Sequence, residues 1–168
     1  MTSSTLEQIE EGSRVFIDAS IFIYHFTGTS QECRRLLEGC ESGRFAGFTS
    51  VTALAEVAHR LMTIEAVAKG LVSPGNVVRK LREKPDIVRK LHVYQDQTEL
   101  IPSMGIAILR LDFEVMTLAA EIRRRDGLLV NDSLLAATAI REEIVDLASA
   151  DPDFERVAEL RLLRPTDL

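Results

Sequence analysis

The stretch 14–24, Arg-Val-Phe-Ile-Asp-Ala-Ser-Ile-Phe-Ile-Tyr, restricts the possible folds more than any other part of the chain. A β-rich apolar run that stops abruptly on a carboxylate reads as a central strand buried on both faces, with Asp18 delivered at its C-terminal end. In open α/β sheets ligands bind in the crevice beyond the carboxyl ends of the strands, so an acid there is a better site candidate than an acid elsewhere. The plainer reading is that Asp18 only ends the strand and opens a turn, because Asp bonds nearby backbone amides. Ser20 is expected to cap the helix after the strand.

The rest of the chain alternates between strand and helix patterns. Residues 20–38 mix apolar and charged side chains at helical spacing and predict one helix closing on Gly39. Residues 45–48 predict a short strand, and Thr49-Ser50 both stop it and start a long helix. On that helix Val51, Leu54, Ala58 and Leu61 share the core face, which turns Glu56 away from it. Residues 64–104 are broken at Gly70, Pro74-Gly75 and Pro85 and read as a helical arm. Residues 105–111 resume the strand pattern, Asp112 caps a helix running to Arg125, and Gly127 ends it. Asn131-Asp132 starts another helix, residues 145–149 form a strand, Asp151-Pro152-Asp153-Phe154 turns into a brief helix, and residues 160–163 offer a last strand. This alternation implies an α/β fold of three layers, α/β/α, with a central parallel sheet covered on both faces.

Length and an apolar content of 46% suit one domain over residues 1–168, with residues 1–13 as a polar extension. That extension has no apolar leader run and no later stretch is long and apolar enough for a membrane span, so the expected location is the cytoplasm. Cys33 and Cys40 have neither a zinc spacing nor a disulfide framework around them. A net charge of −6 argues against a general electrostatic nucleic-acid binder but not against an enzyme acting on nucleic acid. Arg79, Lys80, Arg82, Lys84, Arg89 and Lys90 gather in residues 79–90, either as a solvated helix face or as a place for phosphates.

Four acids, Asp18, Glu56, Asp132 and Asp151, sit where an element changes or on a helix side turned from its core stripe. Asp18 and Asp151 each follow a predicted parallel strand, so both face one edge of the sheet. Each has a plain alternative. Asp132 behind Asn131 is an ordinary helix start, Glu56 an ordinary solvated residue, and Asp151 before Pro152 an ordinary turn whose job Asp153 can share.

The order and context of these residues resemble the PIN domain family of metal-dependent ribonucleases, especially the toxin of VapBC toxin-antitoxin pairs. The resemblance is carried by Val15-Phe16-Ile17-Asp18-Ala19-Ser20-Ile21-Phe22-Ile23-Tyr24, by Ala53-Leu54-Ala55-Glu56-Val57, by Asn131-Asp132-Ser133-Leu134-Leu135-Ala136-Ala137-Thr138-Ala139 and by Ser149-Ala150-Asp151-Pro152-Asp153-Phe154. It implies that Asp18, Glu56, Asp132 and Asp151 form an acidic metal-binding cluster, with Ser20 as the family's small hydroxyl residue. Asp153 competes with Asp151 for the fourth place. It also implies a homodimer and a small VapB-like antitoxin whose C-terminal segment occupies the groove.

Oxygen-only donors suit the hard cations Mg²⁺ and Mn²⁺, and such an ion acidifies a bound water and neutralises charge on a phosphate. The expected reaction is therefore hydrolysis of RNA phosphodiester bonds, with Asp18, Asp132 and Asp151 as ligands and Glu56 binding through water or orienting the nucleophile. The alternatives are a PIN-domain nuclease of RNA processing without an antitoxin and a non-catalytic binding or scaffold protein. A haloacid-dehalogenase-type phosphatase wants a second Asp where Ser20 stands. His25, His59 and His92 have no nucleophile elbow beside them, and no Walker loop is present.

Overall fold

The computed structural model describes residues 4–168. Its centre is strand β2 (Arg14–Ile17), in which Val15, Phe16 and Ile17 are wholly buried. A strand apolar on both faces has to be covered on both, and β2 lies inside a six-stranded sheet of order β1-β6-β5-β2-β3-β4. The other strands are β1 (Ser4–Thr5), β3 (Ala46–Ser50), β4 (Ile106–Leu109), β5 (Asp146–Ala148) and β6 (Arg161–Arg164). Every ladder is parallel. Around the sheet run α1 (Ala19–Phe26), α2 (Gln31–Glu41), α3 (Val51–Ala68), α4 (Val77–Glu83), α5 (Pro85–Val88), α6 (Val93–Leu100), α7 (Phe113–Asp126) and α8 (Val130–Arg141). This is the three-layer α/β/α arrangement that the alternation implies.

The structure departs from the expected elements at five places. Residues 20–38 are not one helix: α1 stops at Phe26, Gly28 turns the chain at φ +70°, and Ser30 caps α2 by accepting from the Cys33 amide at 3.0 Å. Gly39 is not the cap of that run. It lies inside α2, where a Cβ would stand 2.5 Å from the Phe45 ring, so its smallness admits Phe45 rather than ending a helix. Asp18, not Ser20, is the N-cap of α1. The buried stripe of α3 is Ala53, Val57 and Leu61, while Val51 is exposed. The extension is only partly solvated: β1 pairs with β6, and Leu6 and Ile9 are buried in the main core, although residues 1–3 lie outside the described part. Cys33 and Cys40 are buried and free, and burial pushes both thiols up to about 11.

The arm is helical, with its own small core of Ala66, Val72, Leu81 and Leu91. It is tied to α3 by Glu65, a buried carboxylate that accepts from Lys69 Nζ at 2.6 Å, the Tyr94 amide at 2.9 Å and the His92 amide at 3.2 Å. Burial alone would raise the pKa of Glu65, but the bonds from Lys69 and from the backbone at the start of α6 outweigh it and hold the group down at about 2. Part of the basic run is already occupied. Lys80 Nζ bonds Ser73 O at 3.0 Å and Pro74 O at 3.2 Å, Arg79 faces Glu83 and Arg89 pairs with Asp86.

Candidate functional site

The register of the sheet builds the site. Ile17 pairs with Ala148 across β2 and β5, and the Asp18 amide continues the ladder by donating to Ala148 O at 3.0 Å. Asp18 therefore emerges beside Ser149, just beyond the carboxyl ends of two neighbouring strands. Its Oδ1 accepts from the Ala19 amide at 2.7 Å, and its Oδ2 accepts from the hydroxyls of Ser20 at 2.6 Å and Ser149 at 2.7 Å. Each hydroxyl also accepts from the backbone that leads to the next acid: Ser20 from the Ala150 amide at 3.1 Å and Ser149 from the Asp151 amide at 3.0 Å. Two serines thus clamp one carboxylate and fix the turn that carries another. Sequence reasoning assigns Ser149 no role; its signal is a hydroxyl two residues before Asp151, matching Ser20 two residues after Asp18.

Asp151 caps the brief 3-10 helix Pro152–Arg156, its Oδ1 accepting from the Asp153 amide at 2.9 Å. Asp153, its competitor, is paired with Arg156 at 2.7 Å. Asp132 stands in the first turn of α8, and that turn is pinned because Ser133 Oγ donates to Val130 O at 2.7 Å and accepts from Arg123 at 2.8 Å. Glu56 is held by α3, which starts at the end of β3 with Ser50 as its cap. It faces Asp132 across an open groove of about 620 Å³, lined by Glu56, His59 and Arg60 on one side and by Leu129, Val130 and Asp132 on the other.

Electrostatics ties the four acids together. Burial, and then the charges of Asp151, Asp18, Glu56 and Asp153, push the Asp132 carboxyl up to about 6. The α8 N-terminus works the other way, but a helix end is worth about 0.3–1 kcal/mol to an anion at an exposed site, less than the penalty from burial and repulsion. Glu56 is raised as well, by burial first and then by Asp18, opposed next by Arg60, with lesser contributions from Asp151 upward and His59 downward. Among the described residues none of Asp18, Glu56, Asp132 and Asp151 is in a salt bridge. A set of acids that repel one another and are in no salt bridge is suited to an added cation. Among the described residues no three such side chains stand close enough to cage an ion as placed, although Glu56 and Asp132 carry no hydrogen bond that would stop them turning.

Comparison with known proteins identifies the fold and the family. The chain is 27% identical over 154 residues to Ribonuclease VapC2 of Methanocaldococcus jannaschii, across 91% of this chain and 95% of that protein. Ribonuclease VapC6 of the same organism is 28% identical over 156 residues, across 90% and 97%. In shape the chain is similar to VapBC2 from Rickettsia felis bound to a DNA fragment from their promoter, with a TM-score of 0.58 at 18% identity over 90% of this chain and 98% of that one, a likeness of fold. No helix among the described residues is long and apolar enough to cross a membrane. A PIN domain family model matches residues 15–160, a span that holds all four acids, and the chain belongs to the PIN domain family, related to the VapC ribonuclease toxins.

Proposed function

We propose that this chain is an Mg²⁺- or Mn²⁺-dependent endoribonuclease of the VapC kind, the toxin of a pair with a small VapB-like antitoxin. The observation that carries the reading is the set of four carboxylates at the carboxyl edge of the sheet that repel one another and are in no salt bridge among the described residues. The names of the two archaeal relatives supply the ribonuclease activity, and the toxin-antitoxin complexes among the structural neighbours supply the antitoxin. Asp18, Asp132 and Asp151 are the residues that would hold the ion. Glu56 joins them directly or through water. The donor set fits a hard cation, since all its atoms are carboxylate oxygens.

The chain's own residues divide the work. Asp18 is immobilised by two hydroxyls and an amide, so it is the fixed point of the site. Burial and the neighbouring carboxylates hold both Asp132 and Glu56 above the usual carboxylate range, so a positive charge bound there relieves both. We assign Glu56 to orienting the attacking water from across the groove. A bound divalent ion supplies an acidified water and neutralises the charge that builds on the phosphate.

The test is cleavage of single-stranded RNA with and without Mn²⁺. Wild type should cut, chelation should stop it, and Asp132→Asn should lose about a hundredfold or more at unchanged circular dichroism. A well-folded wild type that takes up Mn²⁺ but cuts no RNA would leave only the binding or scaffold role standing.

A further inference from the structure

We infer that Arg60, together with the aliphatic wall of Leu129 and Val130, forms a subsite that holds the RNA nucleotide next to the scissile phosphate. The inference rests on the ribonuclease reading and adds to it where the strand lies. Arg60 follows Glu56 by four residues, a spacing at which Glu and Arg ordinarily pair on a helix surface. Here they do not. Among the described residues the Arg60 guanidinium takes part in no salt bridge and no side-chain hydrogen bond, yet it lines the groove that Glu56 and Asp132 face. It is the only Lys or Arg among the groove-lining residues.

That placement has an electrostatic consequence. A polyanion entering a groove lined by Glu56 and Asp132 is repelled, so productive approach needs a cation with donors left open to a phosphate. The basic arm does not line the groove: Lys80 is spent on Ser73 and Pro74, Arg79 and Arg89 face nearby acids, and Arg82, Lys84 and Lys90 are not among the groove-lining residues. One helical turn beyond Glu56, about 6 Å along the axis, Arg60 is set to take a phosphate beside the one being cut.

The opposite wall has the complementary property. Leu129 is 74% exposed and Val130 54% exposed, directly before the acid-bearing turn of α8. Large aliphatic side chains left in water at the mouth of an acidic groove gain nothing from the fold, whereas an unstacked base offers them a flat apolar face. A cation on one wall and apolar surface on the other match the phosphate and the base of one nucleotide.

The experiment measures binding of a short fluorescent single-stranded oligoribonucleotide over a range of salt, in EDTA so that nothing is cut. Arg60→Gln should weaken binding about tenfold and lower the slope of log K against log salt by about 0.7, the value for one phosphate on a single strand. Arg60→Lys should recover the slope but only part of the affinity. Leu129→Ser should weaken binding with the slope unchanged and should keep the wild-type melting response to Mn²⁺. An unchanged affinity and slope in Arg60→Gln, with wild type still binding and cleaving RNA, overturns this subsite alone and hands the groove wall to a protein partner. A wild type that neither binds nor cleaves RNA overturns the ribonuclease reading and this inference with it.

Discussion

Asp18 and Asp132 are two aspartates of one cluster with opposite surroundings, and the difference decides which of them is the useful probe. Replacing Asp18 by Asn would put an amide where two hydroxyls and a backbone N–H now donate, so that variant mixes charge loss with broken hydrogen bonds. Asp132 has no such partners, and its folded pKa is raised to about 6. A raised carboxyl contributes most below its unfolded pKa, about 4, and that contribution is lost as pH rises through about 6. In chelator, Asp132→Asn should therefore match wild type near pH 4 and exceed it by of order 1 kcal/mol at pH 7, allowing for solvent screening, as read by urea unfolding. A gap that does not change with pH would separate Asp132 from the other acids. Ser149→Ala should cost about 1–3 kcal/mol because it removes one of the two hydroxyls that donate to Asp18 Oδ2 and strands the Asp151 amide, and Ser149→Thr should restore most of it. Asp151→Asn should harm cleavage more than Asp153→Asn, whose carboxylate is already spent on Arg156. The acids themselves were legible in the sequence because each stands at a strand end or helix start, or off a helix's core stripe. The serine clamp was not, because its geometry depends on the β2–β5 register, a long-range pairing that no local pattern encodes.

Helix α3 joins the candidate site to the arm, since one side of it carries Glu56 into the groove and its end carries Glu65 into the arm. Its start at Ser50, like the capping of α7 by Asp112 and its end at Gly127, is local chemistry, and the sequence showed all three. Where the pattern misled, two signals competed. The run 20–38 is periodic enough for one helix, but Gly28 with a positive φ and the Ser30 cap divide it, and Gly39 answers to the Phe45 ring instead. Glu65 gives this scale its prediction. Its folded pKa is depressed to about 2, so its contribution is present above the unfolded value, about 4.5, and is lost as pH falls through about 2. Glu65→Gln should loosen α6 by about 2–3 kcal/mol at neutral pH, seen as faster hydrogen exchange across residues 93–100, and should differ little from wild type at pH 2. Uniform faster exchange over the whole sheet would assign Glu65 to global stability rather than to docking of the arm.

At the scale of the whole molecule, the sheet gathers onto one edge a set of charges that the fold would be more stable without. Asp18 and Asp151 arrive on neighbouring strands, and α3 and α8 bring Glu56 and Asp132 toward them, so the repulsion is a property of the topology and not of any one element. Such a cluster stabilises the folded state only when something positive is bound there. Mn²⁺ at a hundred times its dissociation constant should add about 2.7 kcal/mol. For a chain of this length that is a rise of about 5–10 °C in Tm. Protons compete for the same oxygens, so the rise should shrink as pH falls below about 6, where Asp132 takes up its proton. Asp132→Asn reverses both terms, since it relieves the repulsion and removes a donor. The two proteins should therefore exchange order: the variant melts higher in EDTA at pH 7, and wild type melts higher in saturating Mn²⁺. Differential scanning calorimetry of both proteins in the two buffers checks this without knowledge of the RNA. If wild type and variant rise equally with Mn²⁺, the ion is bound elsewhere and the four acids do not act as one site.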